Sequence, residues 1–178
     1  MALTLIDSVL VTSTTSQIDF TGIPGTFASL QMRAKVASSL TSSPGVAGYG
    51  LNFNDDFSTN YVTNSARRGQ STTTSVGTLS VAKNTVDNEA DMYFVNNEYT
   101  GQAATVFDYA VIDISNYANP NMWTVTRALH GFIEYNDDWG YIIATHSSWR
   151  NTDTVTKISV CVDSFRVGSK IELYGYEA

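Results

Sequence analysis

The sequence has one cysteine, Cys161, and little of what helices and charged surfaces need. A single cysteine excludes a disulfide within the chain, so folding must rest on a hydrophobic core. Glu occurs 5 times and Leu 9 times, against 19 Ser and 22 Thr, so good helix formers are scarce. Charged residues make up only 15% and hydrophobic residues 43%. This composition predicts strands around an ample core.

Signals for targeting, membrane insertion and nucleic-acid binding are also missing. The N-terminal segment lacks a basic region, and Asp7 interrupts its apolar stretch, which is unlike a signal peptide. No apolar run approaches the roughly 18 residues that a membrane helix needs. The net charge is −7, and the nearest approach to a basic cluster is the pair Arg67 and Arg68. We therefore expect a soluble chain, made in a cytoplasm, with no nucleic-acid or membrane partner.

Strand signals recur along the whole chain as alternating apolar and polar residues bounded by Gly, Asn, Asp, Ser and Pro. The segments with this pattern are Leu3–Val11, Gln17–Ile23, Ala28–Ala37, Ala47–Phe53, Asp91–Asn96, Thr105–Ile114, Trp123–Phe132, Tyr141–Ser147, Val155–Val162 and Lys170–Tyr176. About ten strands at this spacing predict an all-β fold, a two-sheet antiparallel sandwich or jelly roll. With no linker, we expect residues 1–178 to form a single domain.

Three segments carry more specific expectations. Asn54–Ser75 is polar and lacks periodicity, which predicts a long exposed connection after the fourth strand. Thr105–Ile114 has apolar residues on both faces, which predicts a central strand covered on both sides. In Lys170–Tyr176 we expect one alternating set, Leu173 included, to face the core, and the strand to lie near the N-terminal strands.

Catalytic or metal chemistry finds little support in the histidines and the cysteine. His130 and His146 lie in predicted strands, without a second His at a spacing that makes a metal pair. The alternative to a zinc or proton-transfer role is an ordinary hydrogen-bonded position near a strand end. Cys161 alternates with valines and is expected to be a small buried hydrophobe.

Acidic residues leave two further alternatives open. Asn54–Asp56 and Asn136–Asp138 are oxygen-rich turns that suit calcium, although Asx-rich turns also occur for conformational reasons alone. A glycosidase would need two carboxylates on opposite sides of a cleft. Glu98, Asp108 and Glu134 are candidates, but nothing in the sequence predicts that any two of them lie close together. The sequence thus predicts no catalytic residue, no metal site and no cofactor.

Aromatic residues and one pair of cations are the candidate partner-binding residues. Trp123, Trp139 and Trp149 flank predicted turns or strand ends, where flat amphipathic rings would dock a protein or stack on a sugar. Buried, they would simply belong to the core. Arg67 and Arg68 lie in the predicted long connection of an acidic chain, which suits them to carboxylates of a partner.

Both ends of the chain resemble a group of tailed-bacteriophage virion proteins. Ser16–Leu30 looks like that group's opening, in which a strand, an Ile-Pro turn, an aromatic and a second strand follow one another. Leu51–Asp55 with Asn60-Tyr61 is similar to its "Phe-Asn-Gly-Asp … Asn-Tyr" segment, although Asp55 stands where Gly is usual. Phe165–Tyr176 resembles its closing "Phe-x-x-Gly-Ser-x-Ile-x-Leu-Tyr-Gly-Ile" strand, with Tyr in the last place. The middle, residues 62 to 150, hardly shares the resemblance.

The resemblance implies a non-enzymatic virion β-domain of the kind found in capsid decoration proteins and in tail or neck appendages. We expect a capsid decoration or cement protein that stabilises contacts between major capsid subunits and is located in the virion. The partners would be the major capsid protein and copies of the chain itself, as a homotrimer. The main alternative is a tail-fibre or neck appendage that binds host-surface glycans, and an enzyme such as a glycan depolymerase is disfavoured.

Overall fold

The computed structural model describes residues 2–39, 47–71, 79–80, 86–89, 92–97, 107–134 and 139–177. Of these, residues 47, 67–71, 79–80, 86–89, 92–97, 132–134 and 139–141 are described by their backbone alone. The described residues form strands and turns, with no helix among them. Accordingly, no helix in these ranges is long and apolar enough to cross a membrane.

Thirteen strands are formed in the described ranges. In chain order they are β1 (Leu3–Leu10), β2 (Thr15–Thr21), β3 (Ser29–Val36), β4 (Ala47–Phe53), β5 (Tyr61–Ser71), β6 (Leu79–Ser80), β7 (Val86–Glu89), β8 (Met92–Asn97), β9 (Asp108–Ser115), β10 (Thr124–Glu134), β11 (Trp139–Trp149), β12 (Lys157–Phe165) and β13 (Lys170–Tyr176).

The strands make two antiparallel sheets, and the predicted all-β sandwich is confirmed. The large sheet has nine strands in the order β1-β13-β3-β9-β10-β11-β5-β6, with β7 also paired to β5. The small sheet has four, in the order β2-β12-β4-β8. The chain crosses between the sheets repeatedly, so neighbouring strands are often far apart in sequence.

The core lies between the inner faces of the two sheets, where alternating side chains meet. From the large sheet it receives Leu30, Met32, Ala34, Val36, Ala110, Ile112, Ile114, Ala128, Trp149, Tyr61, Ile171 and Leu173. From the small sheet it receives Ile18, Phe20, Tyr49, Leu51, Phe53, Ile158, Val160 and Val162. The two sets share one continuous cluster, as one sandwich core requires.

The closing strand behaves as its alternation predicted. β13 lies between β1 and β3, so the C-terminal strand does pair with strands from the N-terminal part of the chain. Ile171, Leu173 and Gly175 are buried, whereas Glu172 and Tyr174 are only half-buried. The strand therefore turns Leu173 into the core.

The predicted long connection over Asn54–Ser75 is wrong, because half of it, Tyr61–Ser71, is strand β5. Residues 72–75 lie outside the described residues. β5 pairs with β11 over its full length, from Tyr61 opposite Trp149 to Ser71 opposite Trp139. Tyr61 and Thr63 face inward and are buried. A polar strand satisfies its backbone through the ladder as well as an apolar one does, so composition misled the prediction.

The prediction that Thr105–Ile114 is covered on both sides is also wrong. In β9 the residues alternate strictly between buried and exposed, so one face packs on the core and the other is open within the described chain. This open face continues onto β10 and β11.

One end of the sandwich carries four connections that interlock. Residues 22–28, 54–60, 116–123 and 150–156 join strands there, and we call this the loop end. Backbone hydrogen bonds link the connections, from Arg150 N to Asn60 O (2.8 Å) and from Val155 N to Tyr117 O (2.7 Å). Asn54 and Asn116 adopt positive φ angles of 53° and 61°, which Asn tolerates better than most residues.

Candidate interaction surface

An exposed apolar cluster lies on the outer face of the large sheet. Tyr109, Val111, Leu129 and Ile142 have exposed fractions of 62%, 43%, 59% and 65%. They lie on the three adjacent strands β9, β10 and β11, because each points away from the core at its place in the alternation. We call these four residues the apolar cluster.

The strand register makes the cluster continuous. Gly131 of β10 lies between Tyr109 on one side and Ile142 on the other. One row along, Leu129 lies directly beside Val111 and Ala144. Side chains that are opposite or diagonal across a sheet lie about 4.5–8 Å apart, so these rows form one flat apolar surface.

Cations border the apolar cluster. Lys35 of β3 lies opposite Tyr109, and Arg33 lies opposite Val111. Arg127, one row further along β10, is also exposed. Lys170 lies beyond Lys35 on β13. The cluster is thus apolar at its centre and positive at this border.

The border cations pack on aromatic rings. The Arg33 guanidinium carbon lies 4.8 Å from the centre of the Tyr174 ring, and Lys35 Nζ lies 4.4 Å from that of Phe107. Such contacts hold long side chains against the surface while the charges stay hydrated.

The two acids on this face are engaged by their neighbours. Lys170 Nζ lies 2.5 Å from Oε1 of Glu172, and this hydrogen bond is the main reason why the pKa of Glu172 falls below its ordinary value. Gln31 Nε2 donates to Oδ1 of Asp113 at 2.9 Å. Both carboxylates therefore already have partners within the chain.

Arg67 and Arg68 lie in strand β5 of the large sheet. Arg67 is opposite Ile143, a buried residue, whereas Arg68 is opposite Ile142 of the apolar cluster. Their side chains lie outside the described part of the structure, so their partner-binding role stays a prediction. Arg68 lies at the position of β5 that extends the row formed by Tyr109, Gly131 and Ile142.

The three tryptophans have different surroundings. Trp123 is 51% exposed and follows the exposed Met122 at the loop end. Trp139 is described by its backbone only, at the first position of β11. Trp149 is fully buried, so the expectation that it binds a partner is wrong.

Trp149 is buried because both its ring and its N–H find partners. Its ring stacks on Tyr61, with ring centres 6.4 Å apart, and meets Phe53 edge-on at 5.6 Å. Its indole Nε1 donates to Oδ2 of Asp56 at 2.7 Å. A buried indole without such an acceptor would be costly.

The Asn54–Asp56 turn is held by hydrogen bonds within the chain. Oδ1 of Asn54 accepts from the backbone N–H groups of Thr156 (2.9 Å) and Lys157 (3.1 Å). The Lys157 amine lies 2.6 Å from Oδ1 of Asp55. These contacts favour the conformational interpretation of the turn over the calcium alternative. Asn136–Asp138 lies outside the described residues.

Asp56 is the most strongly bonded carboxylate of this turn. Partial burial alone would raise its pKa, but hydrogen bonds from Asn60, Ser58 and Trp149 lower it to about 2. Asp56 is therefore ionised at neutral pH.

His130 is not near a strand end as expected, but lies within β10 and is buried. Among the described residues, neither of its ring nitrogens has a hydrogen-bond partner. It lies opposite Ala110, which makes it a diagonal neighbour of the buried Asp108 on the same inner face. Burial raises the pKa of the Tyr49 hydroxyl in the small sheet, and the nearby Asp108 carboxylate raises it further.

Burial shifts the pKa values of Asp108 and His130 in opposite directions. It raises the pKa of Asp108 to about 7 and lowers the pKa of His130 to about 4. In both cases the neutral form is favoured, because removal from water penalises the charge. Both shifts make the stability of the fold depend on pH.

The other candidates for chemistry are scattered. Glu98 lies outside the described residues, and of Glu134 only the backbone is described, while Asp108 is buried in the core. His146 is exposed on the outer face, opposite Arg127. Cys161 is half-buried rather than buried, and its thiol lies 3.9 Å from Oε1 of Gln17. In the described ranges, no three His, Cys, Asp or Glu residues are grouped closely enough to hold a metal ion.

Comparison with known proteins adds no relative. The chain matches no known protein family, no curated protein and no solved structure. Functional inference must therefore come from the residues themselves.

Sequence reasoning missed the apolar cluster, although its signal was present. The pattern of Thr105–Ile114 predicts apolar residues on both faces of the strand, but the face that carries Tyr109 and Val111 is exposed. Alternation shows which positions are apolar, but not whether the same chain or another molecule covers them.

Proposed function

We propose that the chain is a non-enzymatic structural protein of a bacteriophage virion, where it decorates the capsid and reinforces contacts between major capsid subunits. The resemblance of both chain ends to virion proteins supports the virion setting. The observation that carries the docking role is the exposed apolar cluster on a flat sheet face. Contiguous exposed apolar residues with a polar border are typical of protein interaction sites.

The cluster is suited to docking because the sheet beneath it fixes its shape. Tyr109, Leu129 and Ile142 lie on paired strands whose inner faces belong to the core. Little conformational freedom is therefore lost when a partner covers them. Complete burial of a Leu or Ile side chain is worth about 1.5–3 kcal/mol, so a few such residues can anchor an interface.

We also propose that copies of the chain assemble as a homotrimer, since closed symmetry is the rule for homomers and capsid decoration sites lie at local threefold axes. Sedimentation of the purified protein tests this. A monomer in solution that also lacks like neighbours on the particle would contradict it.

A tail-fibre or neck appendage that binds host-surface glycans is the second candidate, and Trp123 favours it. Its exposed ring at the loop end is a flat apolar surface of the kind on which sugars stack. Trp123 is not one of the four residues of the apolar cluster, so variants can test the two candidates separately.

The decisive experiment counts copies of the protein in purified virions by quantitative mass spectrometry. Hundreds of copies indicate decoration, a few to some tens indicate an appendage, and absence from the particle overturns both. Leu129→Lys should reduce occupancy of the capsid, whereas Trp123→Ala should not. The reverse result, with lost adsorption to host cells, would favour the appendage.

A further inference from the structure

We propose that the partner surface that covers the apolar cluster is an acidic protein surface, with an apolar centre bordered by carboxylates. This inference rests on the proposed function and specifies the chemistry of its partner. The charges that the sheet places around Tyr109, Val111, Leu129 and Ile142 support it.

The charge on this face is opposite to that of the whole chain. On the outer face of β13, β3, β9, β10 and β11, the described cations are Arg33, Lys35, Arg127 and Lys170, and the described anions are Asp113 and Glu172. The chain as a whole has 10 bases and 17 acids, and a net charge of −7. A net positive face on an acidic protein is a local feature, which an average surface of this composition would not have.

Both anions of the face are held by neighbours in the same sheet. Glu172 bonds to Lys170, and it also accepts a hydrogen bond of 3.0 Å from the Tyr174 hydroxyl. Asp113 accepts from Gln31. Asp113 also lies opposite Arg127, and Glu172 lies opposite Arg33, so four described cations share the face with two described acids. The excess positive charge is centred on Lys35, which lies between Tyr109 and Lys170, and carboxylates are its complement.

A second copy offers little to the cations through this same face. In a twofold contact each border cation meets a residue of the same face on the other copy, and the acids described on that face, Asp113 and Glu172, already bond within their own sheet. A surface with free carboxylates complements the border better.

A polyanion such as nucleic acid fits the face less well. Phosphate backbones are bound through rows of cations, and affinity depends on how many phosphates they neutralise. Here the centre is occupied by Val111, Leu129 and Ile142, which offer nothing to a phosphate. An acidic surface with its own apolar residues uses both the centre and the border.

Carbodiimide cross-linking of intact virions tests the inference, because the reagent joins an amine to a carboxylate only when the two are in contact. Lys35 is the reporter. Lys170 and Lys157 are internal controls, since each already touches a carboxylate of its own chain, Glu172 at 2.5 Å and Asp55 at 2.6 Å. Links also found in the purified protein are subtracted.

We expect virion-specific links from Lys35 to Asp or Glu of another protein. Links from Lys35 to Asp113 or Glu172 of a second copy, identified by mixing isotope-labelled and unlabelled chains, would overturn the inference, because the face would then meet itself. So would a Lys35 that gains no link while both controls react. These failures differ from that of the proposed function, which fails if the protein is absent from the particle.

A charge reversal gives an independent measurement. Arg127→Glu should weaken attachment to depleted particles about tenfold at low salt, and the difference should shrink as salt rises. Arg150→Glu, at the loop end, is the matched control and should attach like the parent. Equal attachment of both variants at low salt, with unchanged melting temperatures, would overturn the inference.

Discussion

The indole N–H of Trp149 donates a hydrogen bond to the carboxylate of Asp56, 93 residues earlier in the chain. This contact joins the end of β11 to the turn that precedes β5, and β5 is the strand that pairs with β11. The same bond helps to hold the pKa of Asp56 at about 2. Trp149 therefore organises the loop end from within.

Trp149→Phe should destabilise the fold without altering any exposed surface. The variant loses a hydrogen bond to a charged group, worth about 1.5–3 kcal/mol, and leaves part of the indole volume empty. Urea unfolding should show the loss. Trp123→Phe is the matched control and should stay within about 0.5 kcal/mol of the parent. A Trp149→Phe protein that is as stable as the parent but fails to attach to particles would show that Trp149 does bind a partner.

Leu173→Ala should cost about 2–5 kcal/mol, since Leu173 is completely buried in the core. This is a large share of a typical total stability of about 5–15 kcal/mol. Leu5→Ala on β1 removes the same atoms from an exposed position and should change little. A parental melting temperature for Leu173→Ala would contradict the packing described here.

Gly175→Ala should be destabilising because of Phe27. A Cβ at position 175 would lie 2.3 Å from Cγ of the Phe27 ring, which covers the glycine. The ring would have to move, and overpacking of this kind costs about 1–3 kcal/mol. In a Phe27→Ala background the same change should cost much less, and a double-mutant cycle measures the difference. Equal costs in both backgrounds would show that the ring is not the obstacle.

Asp108→Asn should stabilise the protein increasingly as pH rises. The pKa of Asp108 is raised from 3.8 to about 7, so its contribution to stability is complete below 3.8 and is lost as pH rises through 7. The loss approaches about 1.4 kcal/mol for each pH unit in that interval. Asn cannot ionise, so melting temperatures measured from pH 4 to 8.5 should favour the variant progressively up to about pH 7 and by a constant amount above it. A difference that does not vary with pH would contradict the assignment.

His130→Leu should stabilise the protein increasingly as pH falls, which is the reverse of the pH dependence expected for Asp108→Asn. The pKa of His130 is lowered from 6.5 to about 4, so its contribution is complete above 6.5 and is lost as pH falls through 4. The variant should gain stability over the parent as pH falls in that range. His146→Leu is the control, because His146 is exposed. Parallel pH profiles of parent and His130→Leu would contradict the prediction.

Strand alternation predicted much of the fold because it follows from local geometry. The segment Lys170–Tyr176 was identified with its inward set, since Ile171 and Leu173 alternate with polar residues as the pleat requires. β5 escaped prediction because it carries few apolar residues. Its place in the sheet is set by pairing with β11, and sequence periodicity does not report such long-range pairing.

The candidate surface was only partly accessible from sequence for a related reason. Trp149 and Trp123 have the same side chain, and what separates them is an acceptor, Asp56, that only the fold brings near. The cations Lys35 and Arg127 lie on different strands, about ninety residues apart in the chain, so no local motif reveals that they border one cluster. Sheet order, which sequence did not predict, was the missing information.

The position of β13 between β1 and β3 has a consequence for biosynthesis. Among the described strands β1 pairs with β13 alone, and β13 follows all the others in the chain, so this ladder cannot form until translation reaches Lys170. Until then β3 presents an open edge, the feature through which strands of different chains join and aggregate. Folds dominated by such distant pairings acquire their structure slowly, in about milliseconds to seconds. Neighbouring nascent chains on one messenger RNA are therefore most able to pair wrongly through the open edge of β3 just before β13 emerges from the ribosome.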